Sequence, residues 1–220
     1  MNFNQIMNNN QIKRYEKIFH ENIYLIDMNK NEADDLIFEI SGSTAQIYKI
    51  KFNKMNGDFK CNCLDASTHS RSMNCVCKHV CFILFKVFKL QIDEVHSFFL
   101  NLQLNDILIQ KMYDTFDEIK LSHSLSATHI SNNTINNITN DLFENKKILT
   151  EDDLCTICYD SFDNSDKTHK QCPMCHNVFH EKCIIKWISL GKDTCVLCRN
   201  DVWRRFKITQ TRSKKTLFKD

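Results

Sequence analysis

The sequence predicts an α+β protein made of small units stabilised by their cysteines, and three observations lead there. Residues 23–60 are dense in β-branched and aromatic side chains, as strands are. From Lys78 to Leu90 the pattern turns helical, with Val80, Ile83, Leu84, Val87 and Leu90 recurring at steps of three and four. The chain of 220 residues carries 12 cysteines, most of them in closely spaced pairs.

In chain order, residues 4–20 are expected to form a helix with Ile6, Ile12, Tyr15, Ile18 and Phe19 on one face. Strands follow. Asn56-Gly57 signals a hairpin turn between Tyr48–Phe52 and Phe59–Cys61. After the 78–90 helix, two more are expected near 93–101, with Asp93 as N-cap, and near 104–119. Residues 121–140, rich in Ser, Asn, Thr and His, read as a flexible linker. From Trp203 the chain is basic, with Arg204, Arg205, Lys207, Arg212, Lys214, Lys215 and Lys219.

Formal net charge is only +2, so no acidic partner is demanded by overall charge. The longest apolar run, Val80–Phe85, is far below the roughly 20 residues of a membrane span, so no membrane partner is expected. No N-terminal stretch has the pattern of a secretory signal. Cysteines at metal spacing are then zinc ligands rather than disulfides, and a cytoplasmic or nuclear location is expected.

Near the C-terminus stand Cys155, Cys158, Cys172, Cys175, His180, Cys183, Cys195 and Cys198. They read as C-x2-C, C-x2-C, H-x2-C and C-x2-C, enough for two four-coordinate zinc sites. Order and spacing resemble the RING finger family over residues 152–202. The resemblance implies interleaved sites, with Cys155, Cys158, His180 and Cys183 on one zinc and Cys172, Cys175, Cys195 and Cys198 on the other. It further implies that Ile157 and Trp187 dock a ubiquitin-conjugating enzyme and that Arg199 contacts both enzyme and ubiquitin. Such a module has no catalytic cysteine and acts by positioning a ubiquitin-loaded carrier before a substrate lysine. Most of the family has C-x-H as its second pair. Here it is C-x2-C, with Asn177 in the usual His slot. PHD fingers share the ligand order but carry an aromatic residue where this chain has Asp193.

Upstream, Cys61-x-Cys63 and Cys77-x-His79 are separated by thirteen residues. This pattern resembles the SWIM zinc finger over residues 43–90, which implies a third zinc held between a β-hairpin and a helix. Cys75 forms its own C-x-C with Cys77 and stays open as an alternative ligand. The SWIM resemblance allows a protein or a nucleic-acid partner, and the basic tail adds a second route to nucleic acid.

SWIM followed by RING resembles a class of ubiquitin ligases found in eukaryotes and some large DNA viruses, the location then being the host cell. The expected organisation is an N-terminal helix and strands (1–42), a SWIM-type finger (43–90), a helical extension (91–120), a linker (121–150), a RING-type finger (151–202) and a basic tail (203–220). The expected partners are a conjugating enzyme, ubiquitin and a protein substrate, with the SWIM module recruiting the substrate. The alternative is a non-enzymatic zinc scaffold that binds protein or nucleic acid, in which Trp187 would be buried.

Overall fold

The computed structural model describes residues 6–42, 46–70, 72–133, 149–150, 153–162 and 168–204, with the side chains of 123–133 excepted. The chain divides into two compact units, Met1–Asp117 and Glu118–Asp220.

The first unit is built on a four-stranded antiparallel sheet: β1 (Tyr24–Lys30), β2 (Leu36–Ser41), β3 (Ile47–Asn53) and β4 (Asp58–Cys61), adjacent in that order. Alternation decides its faces. Leu36, Phe38, Ile40, Ile50 and Phe52 are all fully buried, while Glu39 and Lys49 pair on the other face at 3.4 Å. The β1–β2 turn is closed by Asn31, whose side chain accepts from the N–H groups of Ala33 and Asp35. The β3–β4 turn falls at the expected Asn56-Gly57. Gly57 has φ +65°, and a Cβ there would lie 2.4 Å from the Leu104 carbonyl oxygen.

Helix α1 (Asn9–His20) begins at Asn8, whose side chain accepts from Gln11 N–H. Its face is only partly as expected: Ile6 and Ile18 are buried, but Phe19 is 56% exposed. Gln11 is buried and exchanges hydrogen bonds with Val76. The 78–90 segment holds α2 (Lys78–Phe82), followed by a π-helical turn, Ile83–Val87. Val80, Ile83, Leu84, Val87 and Leu90 are all buried, as their spacing predicts. Aromatic contacts join helices to sheet, Phe88 against Phe38 and Phe98 against Phe59.

Two expectations are corrected here. Helix α3 is short, Phe98–Asn101, and preceded by Ser97, so Asp93 caps nothing. Helix α4 runs from Asp106 to Asn133, well past residue 119 and into the stretch read as linker. Polar composition misled because a helix whose first turns are anchored by the buried Leu108, Met112 and Phe116 can continue without an apolar stripe on every later turn. Residues 134–148 and the basic tail beyond Arg204 lie outside the described residues.

The second unit contains a two-stranded antiparallel ribbon, β5 (His169–Gln171) and β6 (Val178–His180), which runs directly into α5 (Glu181–Ser189). Phe179, Ile184 and Trp187 are buried between them. No described helix is long and apolar enough to cross a membrane.

Candidate metal centres

In the second unit three C-x2-C segments fold into the same turn. Cys155 N–H donates to Asp160 O, and Tyr159 N–H donates back to Cys155 O. Cys172 repeats this with Asn177 and His176, and Cys195 with Asn200 and Arg199. The residue after each second cysteine takes positive φ: Tyr159 +59°, His176 +56° and Arg199 +61°. None is glycine, so each turn carries backbone strain of order 1–3 kcal/mol. These tight turns aim both sulfurs of a pair at one point.

The pairs are then brought together in the order that the RING resemblance implies. Cys155, Cys158, His180 and Cys183 have their ligand atoms within 4.8 Å of one another, as do Cys172, Cys175, Cys195 and Cys198. The β6–α5 junction supplies His180 and Cys183 from one rigid corner. A tetrahedral zinc with bonds of about 2.3 Å to sulfur sets its sulfurs about 3.8 Å apart. Cys172 and Cys198 lie 3.8 Å apart, as do Cys175 and Cys195. His180 turns Nδ1 toward Cys158 and Cys183, at 3.3 and 3.9 Å.

The upstream cluster lies wholly in the first unit. Cys61 ends β4, Cys77 precedes α2 and His79 sits in its first turn. Ligand atoms of Cys61, Cys63, Cys77 and His79 lie within 4.8 Å of one another. His79 Nδ1 is 3.8 Å from Cys61 Sγ and 4.0 Å from Cys77 Sγ. The open question about Cys75 is answered by geometry: its thiol turns to Asn8 Oδ1 and the Met73 carbonyl, at 3.3 and 3.2 Å.

Electrostatics favours a cation in these clusters. Cys175 is held far below the usual thiol range by hydrogen bonds from Cys172 and Cys195, while contact with Cys175 pushes Cys172 up to about 12. Cys63 is likewise lowered by Cys61 and Cys77, and Cys61 is pushed up to about 12 by Cys63. Thiols this crowded cannot all ionise alone, and a divalent cation lets them do so together. Two clusters offer three cysteines and a histidine and the other offers four cysteines, the donor sets of closed structural zinc sites.

Backbone and side-chain amides support the sulfurs. Met174 N–H points at Cys172 Sγ and Ala66 N–H at Cys63 Sγ, each at 3.4 Å. Asn177, in the slot where most RING fingers have His, is no ligand; its Nδ2 donates to the carbonyl and sulfur of Cys175 at 3.2 and 3.4 Å. Asn200 makes the matching bond to the Cys198 carbonyl. A signal for this was legible in the chain: Asp160, Asn177 and Asn200 each stand two residues after the second cysteine of a pair.

The expected docking patch is corrected. Ile157 is 0% and Trp187 1% exposed, so neither presents a surface to a partner. Trp187 lies on the inner side of α5, donates from Nε1 to the Thr194 carbonyl at 2.8 Å and has the Lys192 ammonium 5.0 Å from its ring. Arg199 is exposed.

Residues 153–199 match the family model described as Ring finger domain. Over 55 residues the chain is 44% identical to "E3 ubiquitin-protein ligase RHA1B" of Arabidopsis thaliana, covering 24% of this chain and 34% of that protein. It is 43% identical over 51 residues to "E3 ubiquitin-protein ligase listerin" of Saccharomyces cerevisiae, 22% of this chain and 3% of that one. "RING finger protein 24" of Homo sapiens is 37% identical over 73 residues, 33% of this chain and 45% of that protein. The chain thus spans about a third of the length of the first of these relatives. No solved structure matches.

Proposed function

We propose that the chain is a RING-type ubiquitin ligase that holds a ubiquitin-loaded conjugating enzyme and promotes transfer to a substrate lysine. One observation carries the reading: the two interleaved Cys/His clusters of residues 155–198 form within a segment that matches the RING finger domain. Each cluster would hold one zinc, closed and structural. When bound, zinc would supply folding free energy and fixed geometry rather than a reactive water. Arg199, exposed beside Cys198, would give charge-assisted hydrogen bonds to the carrier and to ubiquitin. Ile157 and Trp187 would act as packing that fixes the loops around it.

The upstream cluster would hold the third zinc in a SWIM-type module, which recruits the substrate. A location in cytoplasm or nucleus follows from thiols kept reduced for metal.

Burial of Trp187 favours the second reading, a zinc scaffold without transfer activity. In vitro ubiquitination with a panel of conjugating enzymes separates the two. Chains formed by the wild type and strongly reduced by Arg199→Ala support the ligase. A zinc-loaded protein that makes no chains with any conjugating enzyme is a scaffold.

A further inference from the structure

A cavity of about 410 Å³ opens in the first unit where α1, β3 and the start of α2 meet. Four cations line it, Lys13, Arg14 and Lys17 from α1 and Lys78 from α2. Lys13 and Lys17 stand four residues apart on α1, hence on one helix face, where like charges repel. The carboxylates within reach of these cations are fewer. Asp65 holds Arg14 through two hydrogen bonds, at 2.9 and 2.7 Å. Glu21 is shared between Lys78, with which it is in contact, and Lys17 at 3.9 Å. Lys13 pairs with none of the described residues. Because one carboxylate reaches both Lys17 and Lys78, their ammoniums converge on a single small space.

These groups are open to a partner. Lys13 is exposed, and the Lys17 side chain is 55% exposed. Leu64, which lines the same cavity, is 75% exposed. The sulfurs of Cys63 and Cys77 lie behind this rim, buried. Ammonium groups short of counter-ions attract an anion from outside, and they pair with carboxylates one at a time. A nucleic-acid backbone is met by domains with a marked excess of basic residues. Residues 1–117 hold 14 Asp and Glu against 13 Lys and Arg, so the charge of this unit is balanced and the cations are concentrated locally. That balance favours a short acidic protein segment, which needs only the local field, and the exposed Leu64 suits an aliphatic residue within it.

We propose that this cavity binds an acidic segment of the substrate, with Lys13, Lys17 and Lys78 pairing its carboxylates and Leu64 packing against an aliphatic residue between them. The assignment names the substrate feature behind the recruitment role proposed for the N-terminal module and rests on that reading.

The test is a fluorescence-anisotropy titration of the full zinc-loaded chain with a labelled peptide of glutamates flanking a leucine, and with the same peptide carrying glutamine for glutamate. Exposed ion pairs are individually weak, so three together are expected to favour the glutamate peptide about tenfold, and less as salt rises. The double variant Lys13→Gln, Lys17→Gln is expected to remove most of that preference, Leu64→Ser to weaken binding several-fold, and Lys60→Gln, an exposed control on β4, to leave it unchanged. Equal affinity for the two peptides, binding by neither, or a preference that survives the double variant would overturn the proposal. So would tighter binding of a ten-nucleotide oligothymidylate that the double variant abolishes, which would make the pocket a nucleic-acid site. Ubiquitin transfer to a carrier protein bearing the glutamate peptide is scored separately. Peptide binding without transfer keeps the pocket and removes the recruitment reading, whereas absent binding with chain formation intact removes the pocket alone.

Discussion

The Tyr48 ring stacks on the His79 imidazole, with centroids 4.4 Å apart and planes 26° from parallel. Tyr48 belongs to β3 and His79 to α2, so the sheet itself orients the histidine of the upstream cluster. Groups that orient a metal ligand are typically worth 10–100-fold in affinity. Tyr48→Ala is therefore expected to weaken zinc at this site by roughly tenfold or more, while Tyr48→Phe keeps it. Competition with a chromophoric chelator measures both, and equal affinity across all three proteins would show that the stacking orients nothing.

Asn177 gives a parallel case in the second unit. Its amide donates to the Cys175 carbonyl and sulfur and braces the turn. Asn177→Ala is expected to weaken zinc there by about tenfold and leave the upstream site untouched. Zinc release rates from single-site samples would show the contrast.

Stripping zinc with a strong chelator is expected to unfold residues 153–204, because a segment of that size buries too little to fold alone. The far-ultraviolet circular dichroism signal of α5 should fall and return on adding zinc. Unchanged dichroism after complete metal removal would contradict a zinc-dependent fold.

Gly57 has two reasons to be glycine: φ of +65° and the Leu104 carbonyl oxygen where a Cβ would stand. Gly57→Ala should cost at least about 1–2 kcal/mol from backbone conformation alone. Gly42 has nothing within 4 Å of a built Cβ, so Gly42→Ala should stay within about 0.5 kcal/mol. Urea unfolding of both variants provides the comparison.

Asp35 carries a pH dependence. Its carboxylate pairs with Lys51 at 2.8 Å and accepts from Lys54 N–H and Asn31 Nδ2, contacts that lower its pKa below the ordinary carboxylate value. The contribution is complete above the unfolded pKa of about 4 and is lost as pH falls through the lower folded value. Asp35→Asn should cost about 1–2 kcal/mol at pH 7, since Lys51 remains partly in solvent. It should also flatten the stability profile below pH ~4. An acid slope as steep as that of the wild type would exclude Asp35 as its source.

Much of this was legible in the residues. Turn chemistry at Asn56-Gly57 and the three-four spacing from Val80 to Leu90 are local signals, and local structure obeyed them. Ligand spacing named all twelve residues that gather in three clusters, because a short C-x2-C or C-x-H turn needs no distant information to form. Helix lengths were less legible. Asp93 met the local rule for a cap, but the helix began only where Phe98 and Phe99 found buried positions.

What the sequence determined by itself is which cysteines and histidines stand in close pairs, since backbone reach fixes which sulfurs share a turn; the interleaved order of the pairs is what the family resemblance implied. Only the tertiary structure decided which neighbours face the Cys/His clusters and which face the core. It turned Cys75 toward Asn8, laid Tyr48 on His79, and buried Ile157 and Trp187. The physical reason is that direction and burial depend on how separate elements pack, and a one-dimensional spacing rule carries no information about the element on the other side.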